Sequence, residues 1–175
     1  PEAREVIDYL HRKKVHTILL SGDRKYKSEL IGKELGIDTI FAEQSPEEKL
    51  EKIASLTATM PTAMVGDGIN DAPALAKATI GISMSDSSQV AMQTADVVLM
   101  NHGLKNLPLA LGLGKHTYIT IKQNLFWAFA YNIVAIPIAA VGLLGHYGPT
   151  YGALIMALSD VVLAVNSVRL FVKRV

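Results

Sequence analysis

The sequence predicts an α/β domain, a parallel sheet with flanking helices, followed by two transmembrane α-helices. Three observations carry this reading. Short apolar runs alternate with helical patterns through the first hundred residues, and such alternation gives parallel strands joined by right-handed crossovers. Of the 16 acidic residues, 15 precede Asn101 and only Asp160 follows it. Beyond Asn124 come two apolar stretches, Leu125 to Leu144 and Tyr151 to Val172, each long enough to cross a bilayer as a helix.

The elements of the first half follow in order. Glu2 to Lys14 is helical by pattern, with Val6, Ile7 and Leu10 on one side. Thr17 to Leu20 is a short strand that ends in Ser21-Gly22-Asp23. Arg24 to Leu35 is a helix closed by Gly36, and Thr39 to Phe41 is a strand. Pro46 opens a helix to about Leu56, with Glu47 and Glu48 in its first turn, where the helix dipole favours acids. Thr62 to Val65, Thr79 to Ile82 and Val97 to Met100 are extended, and Asn70 to Lys77 and Ser87 to Thr94 are helical.

The densest chemistry lies in Met64-Val65-Gly66-Asp67-Gly68-Ile69-Asn70-Asp71-Ala72-Pro73-Ala74-Leu75. A buried strand runs into a turn with two aspartates, an asparagine and two glycines. Paired carboxylates call for a cation, and hard oxygen ligands favour Mg²⁺; Asn70 and Asp71 also suit a plain helix cap. In a parallel sheet, ligands sit beyond the carboxyl ends of the strands. Ser21, Gly22 and Asp23 follow one strand, Asp67 to Asp71 follow another, and Lys49 lies early in a helix. Together, hydroxyl, ammonium and carboxylates make a pocket for phosphate with Mg²⁺. Taken singly, Lys49 reads as a solvated helix charge, and Ser21 and Asp23 as a turn and a cap.

Composition excludes several classes. A net charge of +1 with no basic-aromatic patch gives no nucleic-acid partner. With no cysteine, this chain has neither a disulfide nor a thiolate metal site. It begins at Pro1 without resembling a signal peptide and reads as the C-terminal piece of a longer protein. Lys115 and Lys122 precede the apolar pair, and Arg169, Lys173 and Arg174 close it, whereas the loop Gly145-His146-Tyr147-Gly148-Pro149 has no Lys or Arg. The lipid bilayer is thus an expected partner, with the soluble domain and the C-terminus cytoplasmic. Within the spans, Asp160 at mid-membrane costs at least about 2.5–3.5 kcal/mol and marks a pathway or a partner. Met156 and Ser159 lie close to it in sequence, and Tyr131 and Asn132 sit in the first span ahead of Pro137. Hydrogen bonding between spans is the competing account of Asn132 and Asn166.

The order Ser-Gly-Asp, Lys, Gly-Asp-Gly-Ile-Asn-Asp-Ala-Pro-Ala-Leu resembles the phosphorylation domain of P-type ATPases, a branch of the haloacid-dehalogenase-like fold. The two spans fit the heavy-metal subgroup. The resemblance implies that Asp67 binds catalytic Mg²⁺ and that Asp71 sits beside it and helps hold the phosphorylation site. It implies that Asn70 contacts phosphate or its ligands and that Lys49 neutralises the phosphoryl group. Ser21, Gly22 and Asp23 match the family's Thr-Gly-Asp, with the hydroxyl kept. Tyr131-Asn132 is similar to the Tyr-Asn pair of copper pumps. Met156-Ala157-Leu158-Ser159-Asp160 resembles their Met-x-x-Ser-Ser, with Asp160 replacing the second Ser. The implied transported-ion site is therefore Tyr131, Asn132, Met156, Ser159 and Asp160. Thioether favours Cu⁺ and carboxylate a harder divalent ion; copper leads, and zinc or another divalent metal comes next.

The family's Asp-Lys-Thr-Gly-Thr segment, whose aspartate takes the phosphoryl group, is absent from these 175 residues, as is the nucleotide-binding domain. The expectation is a chain that needs the upstream remainder of the same pump as its partner, with ATP bound mainly there. The expected layout is a partial phosphorylation domain over residues 1–103, a connecting helix over 104–124, a span over 125–144, an extracytoplasmic loop over 145–150, and a span with a cytoplasmic end over 151–175. Two alternatives compete: a membrane-anchored phosphatase of the same fold, and a non-catalytic hairpin acting as an interaction subunit.

Overall fold

A computed structural model describes residues 2–100, 103–142 and 148–172. The expected loop residues 145–147 and the basic end at Lys173 and Arg174 lie outside the described residues. The chain forms two compact units, Pro1–Ala110 and Leu111–Val175.

The first unit contains α1 (Glu2–Arg12), β1 (Ile18–Leu20), α2 (Lys25–Leu35), β2 (Thr39–Phe41), α3 (Pro46–Thr59), β3 (Ala63–Val65), α4 (Ala72–Lys77), β4 (Ile80–Met84), α5 (Gln89–Thr94) and β5 (Val97–Leu99). A 3₁₀ turn, Ile69–Asp71, precedes α4, and another, Gly103–Asn106, follows β5. Local chemistry fixes the boundaries. Gly36 closes α2 in the left-handed conformation at φ 76°, which glycine adopts without a Cβ penalty. Ser45 caps α3 in a capping box: its hydroxyl accepts from the Glu48 N–H, and the Glu48 side chain accepts from the Ser45 N–H.

All strand pairs are parallel, as expected, but they form two hydrogen-bonded sheets rather than one: β1 with β2, and β3-β4-β5. Among the described residues, β1 and β3 each pair on one edge only. Two apolar clusters hold the elements. Ile53, Met64, Ala74, Leu75 and Ala91 form one, with Leu20 of β1 packed against it. Val6, Ile82, Leu99 and Leu107 form the other, on the opposite face of β4, because successive strand residues face opposite sides.

Helix α6 runs Leu107–Ala140 without a break, and α7 covers Gly148–Val172. The stretches expected as connecting helix and first span thus share one continuous helix. Gln123, Asn124 and Asn132 dilute its apolar character. Among the described residues, one segment is long and apolar enough to cross a membrane, Thr150–Leu170 in α7.

Candidate functional site

The turn after β3 and the first turn of α3 converge on one ion pair. The capping box and Pro46 start α3 so that Lys49 lies in its first full turn. Lys49 Nζ donates to Asp71 Oδ1 at 2.9 Å, with side chains only 17% and 15% exposed. A positive group so placed cancels charge on one carboxylate while leaving its second oxygen, Oδ2, for another cation or donor.

The glycines of the turn make room for that carboxylate. A Cβ on Gly66 would lie 3.0 Å from Asp71 Cβ and 3.4 Å from Oδ2, and one on Gly68 would lie 3.5 Å from Oδ2. Asp71 N donates to Gly68 O at 3.1 Å, which closes the 3₁₀ turn. Asp67 is exposed, and its carboxylate has no hydrogen bond or ion pair among the described residues. Its backbone is fixed, since Ser88 N donates to Asp67 O at 3.0 Å. Asn70 is likewise exposed. One carboxylate is therefore anchored and the other, four residues earlier in the same turn, is free, and such hard-oxygen donors suit Mg²⁺, which keeps several of its waters.

Ser21, Gly22 and Asp23 form a turn at the end of β1. Ser21 Oγ accepts from Asp23 N at 3.1 Å, and Lys27 Nζ donates to Asp23 Oδ2 at 2.9 Å. Gly22 lies close against the next connection: a Cβ there would approach Gln44 O to 3.3 Å. No hydrogen bond or ion pair joins this turn to Lys49 or Asp71 among the described residues. The link is through packing, because Leu20 rests on the cluster that holds Ile53, one turn beyond Lys49, and Met64 of β3.

In the second unit the half-buried residues trace one seam. On α6 they include Asn124, Ala128, Tyr131 and Ala135; on α7 they include Gly152, Ile155, Ser159, Leu163, Asn166 and Ser167. Steps of three and four residues keep one helix face toward a neighbour. Of the five expected ion-site residues, Tyr131 and Ser159 lie on the seam; Asn132, Met156 and Asp160 are exposed. Asn132 Nδ2 donates to Ala128 O at 2.9 Å, within its own helix. Asp160 has no side-chain partner among the described residues. Asn166 instead bonds across to α6, donating to Asn124 Oδ1 at 2.8 Å. The expectation of interhelical bonding thus fits Asn166 and not Asn132.

Sequence reasoning passed over Asn124 and Ser167, which join across the seam at 3.0 Å. Asn124 stands seven residues before Tyr131 and Ser167 seven after Asp160, a spacing that was open to reading. A further cluster also went unread: Asp38 Oδ2 accepts from Thr17 N and Thr17 Oγ1 at 2.8 Å each and lies 3.2 Å from His11 Nε2 and 3.5 Å from His16 Nδ1.

The parallel strands, the glycine-cradled Asp71 and the lysine from α3 define a haloacid dehalogenase-like domain, and that family of hydrolases matches residues 1–79. Over nearly its whole length the chain is also similar to heavy-metal-transporting P-type ATPases. It is 43% identical over 171 residues to copper-exporting P-type ATPase B of Archaeoglobus fulgidus, covering 95% of this chain and 25% of that protein. It is 45% identical over 169 residues to a copper-exporting P-type ATPase of Staphylococcus aureus, covering 96% and 21%. A zinc-transporting PIB-type ATPase solved in its E2.Pi state aligns at TM-score 0.86 and 34% identity over 95% of this chain and 27% of its own. The catalytic domain of a CPx-ATPase solved to follow nucleotide binding aligns at TM-score 0.54 and 33% identity, over 57% of this chain and 40% of its own. The chain thus spans about a quarter of the length of its curated relatives. Similarity to these pumps and the apolar Thr150–Leu170 segment support a membrane protein.

Proposed function

We propose that this chain supplies the phosphoryl-site and part of the intramembrane ion site of an ATP-driven heavy-metal pump, with Cu⁺ as the exported ion. The carrying observation is the Lys49–Asp71 pair, in the same turn of sequence as the exposed Asp67. Asp67 and Asp71 hold Mg²⁺, which when bound offsets phosphate charge. Lys49 fixes Asp71 and adds positive charge where phosphoryl oxygens crowd. The Ser21 hydroxyl donates to a phosphoryl oxygen, Gly22 lets the backbone approach it, Asp23 holds the turn through Lys27, and Asn70 adds an amide.

The nucleophilic aspartate comes from outside these residues. The singly paired edges of β1 and β3 flank the core on which Leu20 and Met64 pack. A parallel strand between them, ending in that aspartate, would join the two sheets and deliver the carboxylate to the carboxyl end of β3. Conformational change there exposes the ion site to alternate sides of the membrane. The loop joining α6 and α7 is extracytoplasmic, and the soluble unit and C-terminus are cytoplasmic.

The test uses labelled ATP and Mg²⁺. This chain alone should take up no label, and a pump containing it should form an aspartyl-phosphate that Asp67→Asn abolishes. Aspartyl-phosphate on this chain alone would overturn the proposal. A second reading, zinc or another divalent cation, is favoured by the carboxylate of Asp160. It is decided by which ion stimulates turnover and enters vesicles.

A further inference from the structure

The two helices of the second unit are tied by a compact polar cluster. Asn166 Nδ2 donates to Asn124 Oδ1 at 2.8 Å and to Gln123 Oε1 at 3.4 Å. Asn124 Nδ2 donates to Ser167 Oγ at 3.0 Å, and Ser167 Oγ donates on to Leu163 O at 2.9 Å. Arg169 Nη1 donates to Asn166 Oδ1 at 3.3 Å. The amide oxygens are thus taken up by donors, one of them cationic, which makes the cluster a poor cation site and a good clamp.

We infer that this cluster is a register lock that positions the ion-binding groups of the hairpin. Seven residues separate Ala140 from Gly148, and Asn124 and Asn166, each far along its helix from that connection, meet at 2.8 Å, so α6 and α7 run antiparallel. Pairing Asn124 with Asn166 then sets depth along both helices. At 1.5 Å per residue, Asn132 lies about 12 Å from the lock, Asp160 about 9 Å and Met156 about 15 Å, a spread of only about 6 Å. The same pairing sets direction. Asn132 and Asp160 each follow a seam residue, Tyr131 and Ser159, by one position, a turn of about 100°. In antiparallel helices, equal turns away from the seam point to the same flank of the hairpin. Met156, three residues before Ser159, comes round to that flank as well. Amide, carboxylate and thioether are thereby presented together on one exposed face at one level, although none touches another. A slip of one helical turn would separate them by about 5 Å.

This inference rests on the reading that those three groups hold the transported ion, so its test reads register and transport separately. The chain has no cysteine, so pairs can be introduced cleanly. In phosphatidylcholine–phosphatidylglycerol vesicles, Ala128→Cys with Leu163→Cys, matched in depth, should be linked by a short bifunctional methanethiosulfonate in preference to the offset pair Ala135→Cys with Leu163→Cys. Asn166→Leu removes three bonds of the lock and should lower that preference about tenfold, at roughly threefold per interhelical hydrogen bond. Asn124→Leu, from the other helix, should do the same, and Asn166→Gln should retain it. Preference unchanged in both leucine variants overturns the lock, whatever a pump containing them does. In such a pump, metal-stimulated turnover should fall in parallel with linking. If linking is lost but turnover is not, the positioning role is overturned. Asp160→Asn then separates the causes: unchanged metal dependence there means that the ion-site reading itself has failed.

Discussion

Lys49 and Asp71 are 22 residues apart in sequence and 2.9 Å apart in space, in a setting where neither side chain is more than 17% exposed. This contact joins α3 to the turn after β3 and sets the position of one carboxylate before any ligand arrives. Removing the lysine leaves a half-buried carboxylate without its partner. Lys49→Met should therefore destabilise the first unit by about 1–3 kcal/mol, read by thermal unfolding of the detergent-solubilised chain. Lys49→Met with Asp71→Leu should recover part of that loss, and independent, additive effects would show that the pair is not coupled.

Gly81 of β4 is a sharper test of packing than the glycines of the turn. A Cβ there would lie 2.7 Å from Leu75 O and 3.1 Å from Leu75 C. Backbone cannot step aside as a flexible side chain can. Gly81→Ala should cost about 1–3 kcal/mol or more through overpacking, and it should broaden the amide resonances of α4. An unfolding midpoint equal to that of the unaltered chain would show that α4 shifts freely.

The Ser45 cap makes a smaller, local prediction. Ser45→Ala removes the hydroxyl that accepts from Glu48 N at 3.2 Å and should cost about 1 kcal/mol. Because Lys49 follows in the same turn, amide exchange at Lys49 should speed up as well. Unchanged exchange would mean that α3 is held by Ile53 and the core alone.

Acid stability turns on Asp38. The Thr17 N–H and hydroxyl, with a further contribution from His11, hold its carboxyl below the ordinary carboxylate range, against a smaller opposing effect of burial. A carboxyl lowered in the folded state stabilises it fully above the ordinary carboxylate pKa, and the effect is lost as pH falls through the folded value. The stability gap between this chain and Asp38→Asn should therefore be constant near neutrality and close on acidification. Paired unfolding curves measure it, and a gap that widens toward acid would reverse the assignment.

Much of the first unit was legible because its signals are local. Pro46, Glu47 and Glu48 announce α3, Gly36 ends α2, and the aspartates after Val65 mark the loaded turn. Each depends on residues a few positions apart. The split between β1-β2 and β3-β4-β5 was not legible, since edge pairing depends on what lies between distant strands. Helix α6 reads as two pieces on charge alone, yet no proline interrupts it between Pro108 and Pro137. Asn166 was noted without its partner, because that partner lies 42 residues back on another helix. Asp38 was silent for the same reason: Thr17, His11 and His16 reach it only after β1 and β2 pair.

The half-satisfied borders of β1 and β3 also govern how this polypeptide behaves by itself. Rows of unspent amide and carbonyl groups are templates for any extended peptide that drifts near. At high concentration, two copies should cross-pair through these borders and grow into insoluble assemblies. A soluble peptide of strand-forming sequence, added in excess, should suppress that growth by capping them.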